Sequence, residues 1–191
     1  MARQAERREA TRGAILAAAG RLFGEQGFAA TSVDTIASEA GVAKGAVYHH
    51  FPTKEAIFEA VLEAVSADLA AEVLSAARAA PDVLATLGRA SQAYFAATAR
   101  PATRRIVLED GPAVLGWLRW REIDLKHFAD AVPRVLTAAM DQGLIARQPI
   151  EPLSRVLQGA MTEAAMAAAA GGDGAAYLDA LASVIDGLRR P

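Results

Sequence analysis

The amino-acid sequence predicts an all-α fold, and three observations carry that expectation. Alanine, the strongest helix former, supplies roughly a quarter of the residues. Apolar side chains recur at 3.6-residue spacing along most of the chain, and nowhere do four or more residues alternate as a strand would. Hydrophobic residues make up 53% of the 191 positions and charged residues 22%, too apolar for a disordered chain. Cysteine is absent, which removes disulfide scaffolds, thiolate catalysis and Cys-based zinc sites together.

Taken in order, a first helix is expected from about Ala5 to Gln26, stopped by Gly27 with Phe28 folding back on its last turn. Thr31-Ser-Val-Asp34 reads as a capping box, with Thr31 as the cap of a second helix over 32–39 that ends at Gly41. A third helix over 43–50 must stop before Pro52. Thr53 caps a fourth, which carries Ile57, Val61, Leu62, Val65, Leu69, Val73 and Leu74 on one stripe to about Ala79. Pro81 opens a helix to about Ala99, Pro101 a shorter one to Glu109, and Gly111-Pro112 one that holds Trp117 and Trp120. Pro133 marks another break or start, in a helix ending at Gly143. Two clean helices close the chain, 152–170 and 173–188, the latter capped by Asp173.

Charge is nearly balanced, at −2 overall, but it is uneven: residues 1–54 hold seven Lys/Arg against five Asp/Glu. No acid lies between Glu39 and Glu55, a window containing Lys44, His49, His50 and Lys54. Arg3, Arg7, Arg8 and Arg12 before an apolar run imitate a signal peptide, yet Glu6 and Glu9 interrupt them and Arg21 ends the run early. No run approaches the ~18 apolar residues of a membrane span. A cytoplasmic protein with no membrane partner is expected.

Residues 31–51 combine a helix, a glycine-bearing turn and a second short helix, the arrangement of a helix-turn-helix whose second helix enters the DNA major groove. Ile36, Val42, Val47 and Phe51 supply its buried face, while Lys44, Tyr48, His49 and His50 are polar where a buried helix would be apolar. Lys54 sits in the first turn of a helix, where the dipole disfavours a cation, and a docked phosphate would account for it.

Thr31, Ile36-Ala37, Ala40-Gly41-Val42, Lys44-Gly45, Val47-Tyr48-His49-His50-Phe51 and Lys54-Glu55 with Phe58 closely resemble the DNA-binding signature of the TetR family of transcriptional regulators. Phe23, Gly27 and Phe28 fit it as well. The resemblance is specific over about residues 10–60 and departs at Ala43, where a serine often caps the reading helix and touches a phosphate. It implies a three-helix DNA-binding domain over residues 1–54 and a helical effector-binding and dimerisation domain over 55–191. It also implies a homodimer on a palindromic double-stranded operator, most often a repressor that a small molecule releases. Lys44, Gly45, Ala46, Tyr48 and His49 are then expected to face the major groove. Thr31, Tyr48, His50 and Lys54 are expected to hold phosphates.

Helices 152–170 and 173–188 carry broad Ala-rich stripes suited to close approach, so a dimer interface is expected there, with Leu181 and Ile185 inside it. For the effector, Trp117, Trp120, Arg121 and Asp124 share one helical face, and Tyr94, Phe95, Leu157 and Met161 are candidates for the opposing wall. An enzyme is the rival reading, as is a helical small-molecule binder without DNA. Against catalysis, His49, His50 and His127 have no i, i+4 metal spacing, and Gly171-Gly-Asp-Gly174 lacks a phosphate-loop GK[ST]. Neither a cofactor nor an enzymatic activity is expected.

Overall fold

The computed structural model describes residues 2–190; Met1, Pro191 and the side chains of Ala2 and Arg3 lie outside the described residues. It is helical throughout, with no strand among the described residues. In order these are α1 (Ala2–Gln26), α2 (Val33–Glu39), α3 (Lys44–His50), α4 (Lys54–Ala77), α5 (Ala85–Thr98), α6 (Pro101–Arg104), a π-helical turn (Arg105–Asp110), α7 (Gly111–Leu115), α8 (Trp117–Lys126), α9 (Ala131–Asp141), α10 (Ile150–Ala169) and α11 (Gly174–Asp186). Among the described residues no helix is long and apolar enough to cross a membrane. Two compact units form, Met1–Val65 with Pro101–Trp120, and Ser66–Arg100 with Arg121–Pro191.

Most helix ends obey local rules. Gly27 and Gly41 take positive φ (+83° and +67°), Thr53 accepts the Ala56 N–H at 3.1 Å, and Asp173 accepts from Ala175 and Ala176. The expected cap at Thr31 is corrected: Ser32 caps α2 by accepting from the Thr35 N–H, and the buried Thr31 hydroxyl donates to the Gly27 carbonyl at 2.8 Å. The helix expected to run unbroken from Gly111 through both tryptophans is interrupted at Gly116, whose φ is +74°.

The first unit is built on α1, α2, α3 and the start of α4. Ile15, Phe23, Ile36, Val47, Ile57 and Phe58 are fully buried there, and Phe23, Phe28 and Phe58 meet with ring centroids 5.3–5.8 Å apart. The turn after α1 is held by three long side chains. Lys54 Nζ donates to the carbonyls of Phe28 (2.9 Å) and Thr31 (3.0 Å) while lying 4.1 Å from the Phe28 ring centre. Asp110 accepts the Phe28 N–H at 2.8 Å, and the Arg105 guanidinium donates to the carbonyls of Gly24 and Glu25.

Arg105 and Asp110 belong to the π-helical turn, and its geometry follows from Gly111-Pro112. A π turn pairs residue i with i+5, which assigns Val107 the N–H of residue 112; proline has none. The buried Trp120 indole donates to the Val107 carbonyl instead, at 2.7 Å. The indole packs so close to Gly111 that a Cβ there would lie 2.7 Å from Trp120 Cδ1 and 3.0 Å from the Ile106 carbonyl. Glycine, proline and tryptophan are therefore one device.

In the second unit Leu84, Leu87, Leu136, Ala139, Met140, Ile145, Leu157, Leu181 and Ile185 form the core. This corrects Leu181 and Ile185: they are 4% and 6% exposed and face their own chain.

The Trp120–Val107 device makes a direct prediction. Trp120→Phe orphans a buried carbonyl and should destabilise the protein by about 1–3 kcal/mol. Gly111→Ala should also destabilise, because the indole must shift. Urea unfolding measures both, and values within about 0.5 kcal/mol of wild type would contradict the device.

Candidate nucleic-acid interface and effector cavity

Helix α3 is amphipathic in the sense that matters for reading DNA. Val47 is fully buried and Phe51, just past its end, is 5% exposed, so one side is anchored. On the other side Lys44, Gly45, Tyr48 and His49 are exposed, with Ala46 and His50 half-buried beside them. Nothing crowds Gly45, which leaves the backbone open to close approach. Ala43 occupies the cap position with extended angles and supplies no side-chain bond. Lys44 Nζ pairs with Asp34 on α2 at 2.9 Å, an exposed bridge whose partner raises the lysine above its ordinary value.

Two of the residues expected to hold phosphates have partners within the chain. Thr31 is only 2% exposed and its hydroxyl is committed to Gly27, so it is out of reach of a phosphate. Lys54 needs no anion to explain its place at a helix start, because two backbone carbonyls and the Phe28 face receive its charge. Sequence reading instead overlooked cations on α1. Arg7, Arg8 and Thr11 line a shallow pocket with His49 and His50, and the Arg12 guanidinium lies 5.3 Å from the Phe51 ring centre. The signal was present as an Arg8–Arg12 i, i+4 pair, but from the sequence these arginines were weighed only as the basic flank of a signal peptide. His50 is held below its ordinary value by partial burial first, then by His49, Arg8 and Arg12, with Glu9 opposing. The end of α3 is thus electropositive.

The candidate effector residues separate. Trp117 is 52% exposed and its ring lies 4.9 Å from that of Trp120, which is buried in its bond to Val107. Neither tryptophan lines the apolar cavity of the second unit described below. Arg121, Asp124 and Tyr94 form a polar cluster in the second unit. Arg121 donates to Asp124 Oδ2 at 3.0 Å and to the Thr162 hydroxyl at 2.6 Å, and the Tyr94 hydroxyl donates to Asp124 Oδ1 at 3.3 Å. Burial pushes the Asp124 carboxyl up, and Arg121 with the Tyr94 and Thr162 bonds pulls it back; burial next to Asp124 holds the Tyr94 phenol well above its usual value. Phe95 is buried and also stands apart from the cavity.

Of the expected wall, Leu157 and Met161 do line a cavity, together with Leu87, Phe128, Leu181 and Ile185 among others. It lies among the end of α4 and helices α5, α9, α10 and α11, and its volume is about 80 Å³. Trp117, Trp120, Arg121 and Asp124 share a helical face but do not line this cavity, because equal spacing does not say which neighbour each side chain meets.

The family profile for "Bacterial regulatory proteins, tetR family" matches residues 15–61, and the one for "Tetracyclin repressor-like, C-terminal domain" matches residues 84–190, more than half the chain. The chain belongs to the TetR family. A TetR-family transcriptional regulator from Pectobacterium atrosepticum superposes with a TM-score of 0.83 at 30% identity over 97% of both chains. RolR crystallised with resorcinol has the same fold, with a TM-score of 0.78 at 16% identity over 97% of this chain and 90% of RolR. FasR of Mycolicibacterium smegmatis, named a transcriptional activator, is 36% identical over 46% of this chain. KstR2 of Rhodococcus jostii, named a repressor, is 42% identical over 29% of it. The chain spans 40% of FasR and 27% of KstR2 in these matches. These relatives are named as transcriptional regulators, and none as an enzyme.

Arg121 has a structural part to test. Removing it leaves Asp124 buried and unpaired, which should cost about 3–5 kcal/mol near neutral pH. A raised carboxyl favours the fold when protonated, so its contribution is complete below the ordinary carboxylate range and is lost as pH rises through the raised value. Arg121→Ala raises that value further, so its deficit against wild type should widen from pH 4 to pH 7 in urea unfolding. A deficit independent of pH would contradict the pairing.

Proposed function

We propose that this TetR-family protein is a homodimeric, ligand-responsive DNA-binding transcriptional regulator that acts in the cytoplasm. The observation that carries it is α3: a helix pinned through Val47 whose outward face offers Lys44, Gly45, Tyr48 and His49 beside an open backbone. Such a face fits the major groove, with Tyr48 and His49 reaching base edges or phosphates. His50 and the α1 cations Arg7 and Arg8 suit the flanking phosphates, where charge matters and sequence does not. Residues 1–54 are the DNA-reading part in this proposal and 55–191 the part that binds effector and partner.

Dimerisation is assigned to the outer sides of α10 and α11. Val156, Tyr177 and Val184 are 65%, 37% and 52% exposed and supply apolar surface on these two helices. A two-fold axis through these helices repeats α3 and matches a palindrome, the half-sites about one DNA turn (~34 Å) or a related spacing apart. The effector is assigned to the cavity lined by Leu157 and Met161. Where the operator overlaps a promoter, a ligand that favours the wrong spacing of the two reading heads produces derepression.

Operators come from selecting bound fragments of the source genome. Tyr48→Ala should keep the dimer and its thermal midpoint yet weaken operator binding by about 1–3 kcal/mol, a factor of roughly 5 to 150. Val184→Glu should give folded monomers in ultracentrifugation and lose operator binding. Wild-type affinity in the first, or an intact dimer in the second, would overturn the corresponding assignment.

A further inference from the structure

Resting on the reading of the second-unit cavity as the effector site, we infer that its ligand is a small, uncharged and mostly hydrocarbon molecule carrying no more than two hydrogen-bond donors. Among the described residues no charged or amide side chain lines this cavity. Its polar side chains are the hydroxyls of Thr86 and Ser91, and both hydrogens are already given to their own helix region: Thr86 to the Asp82 carbonyl at 3.2 Å and Ser91 to the Leu87 carbonyl at 2.9 Å. What they retain is oxygen lone pairs, which accept a phenol or alcohol proton but offer a carboxylate nothing.

The nearby polar cluster supplies no charge either. Arg121, Asp124 and Tyr94 bond to one another and to Thr162, and none of them lines the cavity. Phe128 stands between: it lines the cavity and packs edge-on against Tyr94 with ring centroids 6.2 Å apart. An ion carried into this lining gives up its hydration with no partner to replace it. A compact apolar solute loses nothing of the kind.

The test uses four probes of one size on the full chain: toluene, phenol, benzoate and benzylammonium, titrated by calorimetry. Wild type is compared with Ala90→Leu and Ala131→Leu, which extend side chains into the cavity from different helices. Toluene and phenol are expected to bind wild type at least tenfold more tightly than either ion. Both variants are expected to lose toluene and phenol at least tenfold while their unfolding midpoints hold. If benzoate or benzylammonium binds wild type as well as toluene does and the variants abolish it, the ligand class is wrong and the site stands. If toluene binds wild type and both variants alike, the site itself is wrong. Failure of all four probes at millimolar concentration overturns the inference as well.

Discussion

The bonds that tie the elements on either side of the reading helix together converge on eight residues of backbone, Gly24 to Thr31. Their polar groups are satisfied from three directions. Arg105 takes the carbonyls of Gly24 and Glu25, Asp110 takes the Phe28 N–H, and Lys54 takes the carbonyls of Phe28 and Thr31. The Thr31 hydroxyl closes the inner turn on Gly27. Backbone groups at a buried helix end must find partners, and here the partners belong to segments that the turn must hold in place. The same bonds that complete α1 therefore fix the start of α4 and the entry to α2, between which α3 lies.

The π-helical turn is the second half of this constraint. It presents Arg105 and Asp110 to the α1 turn at its two ends, and its own orphan carbonyl at Val107 is completed by Trp120. Pro112 creates the vacancy, Gly111 clears the approach, and Gly116 turns the chain so that α8 can return the indole. Trp120, read from the sequence as part of a ligand face, here finishes a helix that cannot finish itself.

How much was legible in the sequence follows from range. Bonds spanning a few residues were readable: Gly27 and Gly41 as turn glycines, Thr53 and Asp173 as caps, and Val47 with Phe51 as the hidden side of α3. The helical fold and the family resemblance rest on such local signals. Bonds spanning many residues were not readable. Lys54 to Phe28 crosses 26 residues and Asp110 to Phe28 crosses 82, and neither follows from spacing. Periodicity placed Trp117, Trp120, Arg121 and Asp124 on one face, yet a face says nothing about which carbonyl waits opposite. For the same reason Leu181 and Ile185 read as an outer stripe when Tyr177 and Val184 hold that place.

The account turns on whether Lys54 positions the reading helix from within or touches DNA itself. The deciding measurement is operator and non-specific affinity across a salt series for wild type and Lys54→Met. A positioning lysine predicts a lower ratio of specific to non-specific binding with the salt slope unchanged, because no phosphate contact is lost. A slope smaller by about one unit with that ratio preserved is the signature of a direct phosphate contact, and it would contradict the account.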